Sequence, residues 1–309
     1  MTIARYHCQD AIELALRLEG WQQESSQIEA GRFRGDIIDI VSPGLRLFRE
    51  SANLGLSQRV HFPETQWHLI IPVHWPGGSL FSPGTVTVLP RCEQFWSVTP
   101  ARYDLLGLSI DRARYGWLAR YEHRLRRLEV PAARLNEVRG QWQRMTAYLR
   151  GCPLKALRAP GLQQALSEQL EAGVQLLLDD GSPAIEPDVT SYRTRRYIVD
   201  RCHALVRERP ECPPTLMSLC HRLKISRRTL QYSFQAETGQ SPSHYLRALR
   251  LNAVRRSLFD NPGQTLADAA AAQGFFHQSH FCREYRRLFQ EPPSATRQRA
   301  LAGHATGAS

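Results

Sequence analysis

Between residues 33 and 110, short runs of alternating or apolar residues are separated by Pro and Gly. Runs of this length and spacing predict the strands of a small antiparallel barrel or sandwich. The predicted strands are Asp36–Val41, Leu45–Phe48, Gln58–Phe62, Trp67–Val73, Thr85–Leu89 and Arg102–Ile110.

From Arg112 onwards the apolar residues recur at helical spacing instead, which predicts three helices. Their apolar sides consist of Tyr115, Leu118, Tyr121, Leu125 and Leu128, then Leu135, Val138, Trp142, Met145 and Leu149, and finally Leu162, Leu166, Leu170, Val174 and Leu177. Such stripes are typical of faces that pack into a core, and one of them could instead pair two subunits.

The acidic, Gly- and Pro-containing stretch Asp179–Asp188 lies between two helical patterns and predicts a domain boundary. We expect an effector-sensing and dimerisation domain at residues 1–180, a linker at 181–191 and a helical domain at 192–300. The expected fold class is α+β in two domains. The first is a small, cupin-like β-barrel or sandwich with following helices, and the second is all-α.

A helix-turn-helix pattern occurs twice in the helical part, at residues 215–237 and 265–288. In the first unit Thr215 is the expected N-cap of the supporting helix. Ser226 then caps a second short helix, which Gly239 terminates. The outward face of this second helix carries Arg, Gln and Tyr, side chains that read base edges in a major groove.

The second unit repeats this scheme: Thr265 caps the supporting helix, a turn follows at Gly274, and His277–Leu288 is the second short helix. Between the units, Ser241 and Pro242 begin a helix that reaches Phe259, because Pro is favoured at the first helical position. At ~1.5 Å per residue this connecting helix spans roughly 25 Å. One stiff connector could thus hold two recognition helices in successive major grooves, which lie ~34 Å apart.

The net charge of +11 is unevenly divided. Residues 1–190 contain 21 basic and 21 acidic side chains, whereas residues 191–309 contain 19 and 8. A basic domain beside a neutral one predicts that the basic part meets a polyanion. All but two of the basic residues are Arg, which suits bidentate contacts to phosphate and guanine.

The tract Ile225–Gly239, the helix Pro242–Leu258 and the ordered pattern within Ala269–Ser294 together resemble the AraC/XylS family of regulators. The resemblance implies a ligand-responsive activator of a catabolic operon that binds double-stranded promoter DNA. It also implies RNA polymerase as a partner, a small-molecule effector and a homodimer. Two residues depart from the family's pattern: His277 replaces a small capping residue, and Gln290 replaces the usual Gly.

A looser resemblance, within that family, is to the regulators of ethanolamine-utilisation operons. It rests on Trp21-Gln22-Gln23, Gly31-Arg-Phe-Arg-Gly35, Leu47-Phe-Arg-Glu50 and Leu251-Asn-Ala-Val-Arg-Arg256. It implies ethanolamine and adenosylcobalamin as effectors, although the sequence has no recognisable cobalamin-binding motif. No cofactor is expected to be required.

Carried over by position, the family's base-reading sites correspond to Arg228, Gln231, Tyr232, Gln278, Ser279, His280 and Arg283. The residues expected to contact the DNA backbone are Arg227, Arg250, Arg255, Arg256, Arg286 and Arg287. For each of these side chains the alternative is a solvated helix face with no ligand.

An effector pocket lined by aromatic side chains is the hypothesis for the first domain. Its candidate residues are Trp21, Trp67, Trp75 and Trp96, and packing within the core is the favoured alternative for each. A metal site is not predicted, because His61, His68, His74 and Glu64 lack the compact spacing of metal ligands.

The main alternative function is an enzyme fused to the same DNA-binding module. A cysteine-dependent DNA-repair activity would need clustered thiols, yet Cys8, Cys92 and Cys152 are far apart, and a cupin-type enzyme would need metal ligands. No phosphate-binding loop or nucleophile motif occurs, so no enzymatic activity is expected. Because no apolar run is long enough to span a bilayer and no signal-peptide pattern is present, we expect a cytoplasmic location without a membrane partner.

Overall fold

The computed structural model describes residues 1–77, 81–92, 94–122, 125–178, 184–185 and 190–307. The chain forms two compact units. The first consists of Met1–Glu24, Arg34–Asn53 and Gln58–Val189, and the second of Ser25–Phe33, Leu54–Ser57 and Thr190–Ser309. Two short segments from the first sixty residues therefore belong to the second unit, which the sequence analysis did not predict.

The strands are β1 (Thr2–Cys8), β2 (Gln22–Gln27), β3 (Gly35–Ser42), β4 (Leu45–Ala52), β5 (Leu56–His61), β6 (Gln66–His74), β7 (Val86–Val88), β8 (Phe95–Val98), β9 (Tyr103–Asp111), β10 (Arg126–Leu128) and β11 (Ala184–Ile185). Eight of them form one sheet in the order β1-β3-β4-β9-β6-β7-β10-β11, and β2-β5-β8 form another. The recorded pairs of the larger sheet are antiparallel, as expected. All six predicted strands are present, and the additional strands are shorter or more polar.

The first unit also contains the helices α1 (Ala11–Ala15), α2 (Ala132–Gly151), α3 (Leu154–Leu157) and α4 (Pro160–Leu178). Helices α2 and α4 confirm the second and third predicted helices. The predicted helix from Tyr115 to Leu128 is wrong, because a short 3-10 helix at Gly116–Tyr121 and strand β10 replace it. The five apolar residues of this predicted stripe also fit a short turn followed by a strand, so their spacing alone could not distinguish a helix from that arrangement.

The larger sheet has one apolar face that packs against α2 and α4. Alternate residues of β4, such as Leu45 and Leu47, lie in the same buried cluster as Trp142 of α2 and Leu170 of α4. The side chains between them face the other way, since successive strand residues point to opposite sides. That opposite face is polar and aromatic: for example, Arg46 forms an ion pair with Asp39.

Of the predicted linker, residues 181–183 and 186–189 lie outside the described residues. The pair Ala184–Ile185 forms β11, which pairs with β10. The second unit then contains α5 (Thr190–Glu208), α6 (Leu216–Leu223), α7 (Arg227–Thr238), α8 (Pro242–Asp260), α9 (Leu266–Ala271), α10 (Gln278–Phe289) and α11 (Pro293–Gly307). Both predicted helix-turn-helix units are therefore present, as α6-α7 and α9-α10, with α8 between them.

Gly107 of β9 lies directly opposite Phe48 of β4 and beneath its ring. A Cβ atom at Gly107 would lie 2.0 Å from Cζ of Phe48, and the Phe48 ring is buried. We expect Gly107→Ala to destabilise the first unit by about 1–3 kcal/mol, as overpacking in a filled core does. Urea unfolding followed by Trp fluorescence measures this, because all six Trp precede residue 143.

The matched control is Gly161→Ala in the first turn of α4, where a Cβ would meet nothing within 4 Å. This variant should be neutral or slightly stabilising. Equal stability of the two variants would show that the close approach of Phe48 is not a constraint on the sheet.

Candidate DNA-binding interface

Hydrogen bonds from side chains and left-handed residues define both ends of the first helix-turn-helix. Thr215 accepts a hydrogen bond from the Ser218 amide, and Lys224 turns the chain with φ 53° at the end of α6. Ser226 accepts a hydrogen bond from the amide of Thr229 at 3.0 Å. Gly239 ends α7 with φ 69°, a backbone conformation that Gly adopts without strain. The predicted caps of this unit are confirmed.

Helix α7 buries one side and leaves the predicted reading side in solvent. Leu230 and Phe234 are fully buried. The outward side chains are Arg227, Arg228, Gln231, Tyr232 and Gln235, and all five are exposed. The guanidinium of Arg195 in α5 lies 5.9 Å from the centre of the Tyr232 ring, which steadies that ring through a cation–π contact.

Gly274 forms the tight turn of the second helix-turn-helix, with φ 70°. A Cβ atom there would lie 2.7 Å from Cδ of Pro213 and 2.9 Å from the carbonyl oxygen of Glu211. Neither the conformation nor the space admits a side chain, so this turn requires Gly. His277 is the N-cap of α10 and makes no capping hydrogen bond through its side chain, which fits its departure from the usual small residue.

Helix α10 repeats the division into a buried and an exposed side. Phe281, Tyr285 and Leu288 are buried. The exposed residues are Gln278, Ser279, His280, Arg283, Arg286 and Arg287. Each of the seven predicted base-reading side chains is therefore accessible, and so are three of the six side chains predicted to contact the DNA backbone.

The other three predicted backbone contacts lie on α8, where Arg255 is buried and Arg250 and Arg256 are half-buried. Their guanidinium groups bind other parts of the second unit. Arg250 donates to the carbonyl oxygens of Gln273 at 2.8 Å and Gly274 at 2.9 Å. Its guanidinium also lies 4.3 Å from the centre of the Phe275 ring. Burial lowers the pKa of Arg250 to about 10, and the side chain stays protonated at neutral pH.

Arg255 is buried, with 5% of its surface exposed, and it cannot reach a phosphate from this position. Its Nη1 lies 2.8 Å from Oε1 of Glu291 and donates to the hydroxyls of Tyr285 at 3.0 Å and Thr296 at 3.1 Å. This network joins α8, α10 and α11. Arg255 therefore holds the second helix-turn-helix together, and its prediction as a DNA contact is wrong.

Arg256 is half-buried and also has partners within the unit. Its Nη1 donates to the hydroxyl of Ser26 at 3.1 Å and to the carbonyl oxygen of Ser25 at 3.4 Å. Arg247 of the same helix donates to Oε2 of Glu284 in α10 at 2.9 Å. The i, i+3 spacing of Arg247 and Arg250 places both on one side of α8, toward the second helix-turn-helix.

The four tryptophans of the predicted effector pocket are spread over separate packing clusters. Trp67 belongs to the apolar core with α2 and α4, and the Arg112 guanidinium covers its ring at 3.8 Å. Trp21 packs edge-on against Phe48 and Phe62. Trp75 packs against Phe81 and Tyr103, and Trp96 is buried. Trp67, Trp75 and Trp96 are buried and Trp21 is half-buried, as the core-packing alternative expects.

His68, one of the histidines considered as a metal ligand, has a structural role. Its Nδ1 lies 3.0 Å from the hydroxyl of Ser109, and its Nε2 lies 3.1 Å from the carbonyl oxygen of Pro63. Burial lowers the pKa of His68 to about 4, which keeps the ring neutral at physiological pH. Among the described residues, no three His, Cys, Asp or Glu side chains are placed to hold a metal ion together.

Comparison with known proteins finds a family model that matches the helical part of the chain. Residues 219–299 match the family model described as "Helix-turn-helix domain". The HTH-type transcriptional activator RhaR of Pectobacterium atrosepticum is 39% identical over 85 residues, which are 27% of this chain and 29% of that protein. The activator RhaS of Pectobacterium carotovorum is 25% identical over 199 residues, 56% of this chain and 63% of that protein. The matches thus span less than two thirds of either relative.

A solved structure of a transcriptional regulator from Chromobacterium violaceum, described as containing an AraC-type DNA-binding domain, is also similar. It is 26% identical, covers 35% of this chain and 96% of its own, and superimposes with a TM-score of 0.33. None of the described helices has an apolar stretch that could cross a membrane.

Replacing Arg255 should destabilise the second unit strongly, because it removes the buried guanidinium that pairs with Glu291 and donates to the hydroxyls of Tyr285 and Thr296. We expect Arg255→Ala to lower the free energy of unfolding by about 3–5 kcal/mol, as breaking a buried ion pair does. Amide hydrogen exchange of α8 and α10 measures the loss. Arg286→Ala, an exposed neighbour, should stay within about 0.5 kcal/mol of the wild type. If Arg255→Ala changed the free energy of unfolding as little as Arg286→Ala does, the stabilising role assigned to Arg255 would be contradicted.

Glu291 should make the second unit sensitive to acid. Its burial raises its pKa, but hydrogen bonds from Arg299 and Thr296, together with the charges of Arg255 and Arg299, outweigh burial and lower it to about 2. Since an unfolded Glu has a pKa of about 4.3, its ionised form stabilises the fold above that pH, and this stabilisation is lost as the pH falls toward 2. The stability difference between wild type and Glu291→Gln, measured by hydrogen exchange in α11, should shrink over this range. A difference independent of pH would contradict the assignment.

Proposed function

We propose that this chain, whose C-terminal module is an AraC/XylS-type helix-turn-helix domain, is a sequence-specific DNA-binding transcriptional activator. The observation that carries the proposal is the pair of recognition helices α7 and α10, with the one connecting helix α8 between their two helix-turn-helix units. Each presents exposed Arg, Gln, Tyr, Ser or His side chains of the kind that read base edges. The named relatives are themselves called HTH-type transcriptional activators.

One chain would place α7 and α10 in successive major grooves on one side of double-stranded DNA. Base reading is assigned to Arg228, Gln231 and Tyr232 on α7. On α10 it is assigned to Gln278, Ser279, His280 and Arg283. Phosphate contacts are assigned to Arg227, Arg286 and Arg287, since these are the exposed members of the predicted set.

The finer parts of the proposal concern the rest of the protein. Residues 1–180 are proposed to form a cupin-like sensing domain that pairs two subunits and binds a small-molecule effector. The effector shifts the equilibrium between states that differ in promoter occupancy or in contact with RNA polymerase. The looser resemblance to ethanolamine-operon regulators supports ethanolamine with adenosylcobalamin as effectors, and a catabolic operon as the target. No enzymatic activity is proposed.

Substitutions should separate base reading from phosphate contact. A selected DNA site, enriched from random duplexes with the full chain, provides the reference. Arg228→Ala should relax the preference at one base pair and cost ~1–3 kcal/mol there. Arg287→Ala should weaken binding to all DNA sequences alike. It should also reduce the slope of log affinity against log salt concentration by about one.

The two slopes and the two base-preference profiles are compared at several salt concentrations. Arg134→Ala on α2 serves as a basic surface control outside the helix-turn-helix units, and it should leave both measurements unchanged. If Arg228 and Arg287 behave alike, the division into readers and phosphate contacts fails. If the wild type shows no sequence preference, the proposed function itself fails.

A further inference from the structure

Residues 25–33, which we call the brace, belong to the second unit although they lie far from it in sequence. The brace begins at the end of β2 and includes Gln27, whose side chain is 3% exposed. The carboxamide of Gln27 donates to the carbonyl oxygens of Glu29 at 2.7 Å and Gly31 at 2.8 Å, so it also holds the brace in its own curved shape. Its placement is therefore a defined part of the fold.

The brace caps the end of the second recognition helix. An α-helix leaves its last four carbonyl groups without partners, and Leu288 is the penultimate residue of α10. The carbonyl oxygen of Leu288 accepts hydrogen bonds from the Gly31 amide at 2.9 Å and from Nε2 of Gln27 at 3.0 Å. Gln290, just beyond, has φ 55°, which is strained for a residue other than Gly. The Gln290 amide bonds to the carbonyl oxygen of Arg286 at 2.9 Å, and the brace supplies the donors for the carbonyl of Leu288.

The same segment also contacts the end of the first recognition helix. Gln240 directly follows Gly239, the C-cap of α7. Nε2 of Gln240 donates to the carbonyl oxygen of Ile28 at 2.6 Å. Ile28 adjoins Gln27 in sequence, so the brace contacts the C-terminal ends of both α7 and α10.

Between these two contacts the brace is fixed to the connecting helix. Asn252 of α8 is 1% exposed and pairs with the backbone of Gln27 in both directions. Its Oδ1 accepts from the Gln27 amide at 2.9 Å, and its Nδ2 donates to the Gln27 carbonyl oxygen at 2.7 Å. Every base-reading side chain remains exposed, so the brace holds the helices without covering the surface that they present.

We propose that the brace sets the spacing of the two recognition helices, with Gln27 as the positioning residue for α10. This inference rests on the proposed function, because spacing matters only if α7 and α10 read one DNA duplex. Gln27 touches no DNA in this role. It acts through the Leu288 carbonyl, and its loss should widen the range of positions that α10 adopts relative to α7.

The test uses the full chain and the selected duplex site, together with a second duplex that has one base pair inserted between its two subsites. The wild type should bind the inserted site at least about tenfold more weakly, since the insertion misplaces the base contacts of one recognition helix. Gln27→Met keeps the length of the side chain and removes the donor. It should weaken binding to the original site. It should also reduce the difference in affinity between the original and the inserted duplex to less than about threefold.

Gln22→Met, an exposed position in the same strand, is the matched control and should keep the wild-type penalty. Gln240→Met removes the separate contact at the α7 end, so it tests the brace even if Gln27→Met fails to fold. Gln240→Met should also reduce the difference in affinity between the two duplexes. Affinity loss that is equal for both duplexes would reduce the brace to a general stabiliser and overturn the inference.

The outcomes distinguish a failure of the proposed function from a failure of the proposed role of the brace. A wild type without sequence preference would refute the proposed function, and the brace would lose its role with it. A wild type that discriminates between the two duplexes, accompanied by Gln27→Met and Gln240→Met variants with an unchanged insertion penalty, would refute the brace alone.

Discussion

Helix α8 has to pack into two helix-turn-helix cores with one set of side chains. Near its start, the Tyr245 ring lies 5.6 Å from Phe234 of α7 and stacks on His203 of α5 at 5.3 Å. Further along, Leu251 and Leu258 join the apolar cluster of α9 and α10. Because a helix of 19 residues is stiff, these two sets of contacts fix both recognition helices to the same rod.

The polar side chains of α8 also hold the second helix-turn-helix in place, through hydrogen bonds and an ion pair instead of apolar contacts. Arg250 satisfies two carbonyl groups at the Gly274 turn, and Arg255 compensates the Glu291 carboxylate. Withdrawing a guanidinium from water is costly unless it has polar partners, and here Arg255 has an ion pair while Arg250 has hydrogen bonds to carbonyl groups. The excess of basic residues in this half of the chain therefore overstates the charge that faces a polyanion. Some of that charge is internal and builds the scaffold.

Local signals in the sequence were sufficient to find both helix-turn-helix units. Thr215, Ser226 and Thr265 each accept the expected capping hydrogen bond, since caps depend only on residues within one helical turn. The roles of Arg255 and Asn252 could not be found in this way. Whether a polar side chain of α8 faces solvent depends on partners that lie 36 and 225 residues away in the chain. The strands β10 and β11, two or three residues long, were likewise too short for a periodic signal.

The inclusion of residues 25–33 in the second unit bears on how such proteins exchange parts. A graft that moves residues 190–309 onto a foreign sensor leaves behind the donors for Leu288 and the backbone partner of Asn252. The Asn252 side chain of the transplanted module would then keep only its bond to the Ala248 carbonyl oxygen, and the end of α10 would be open to water. For this chain, the portable unit is discontinuous, and recombination at the interdomain linker alone would divide it.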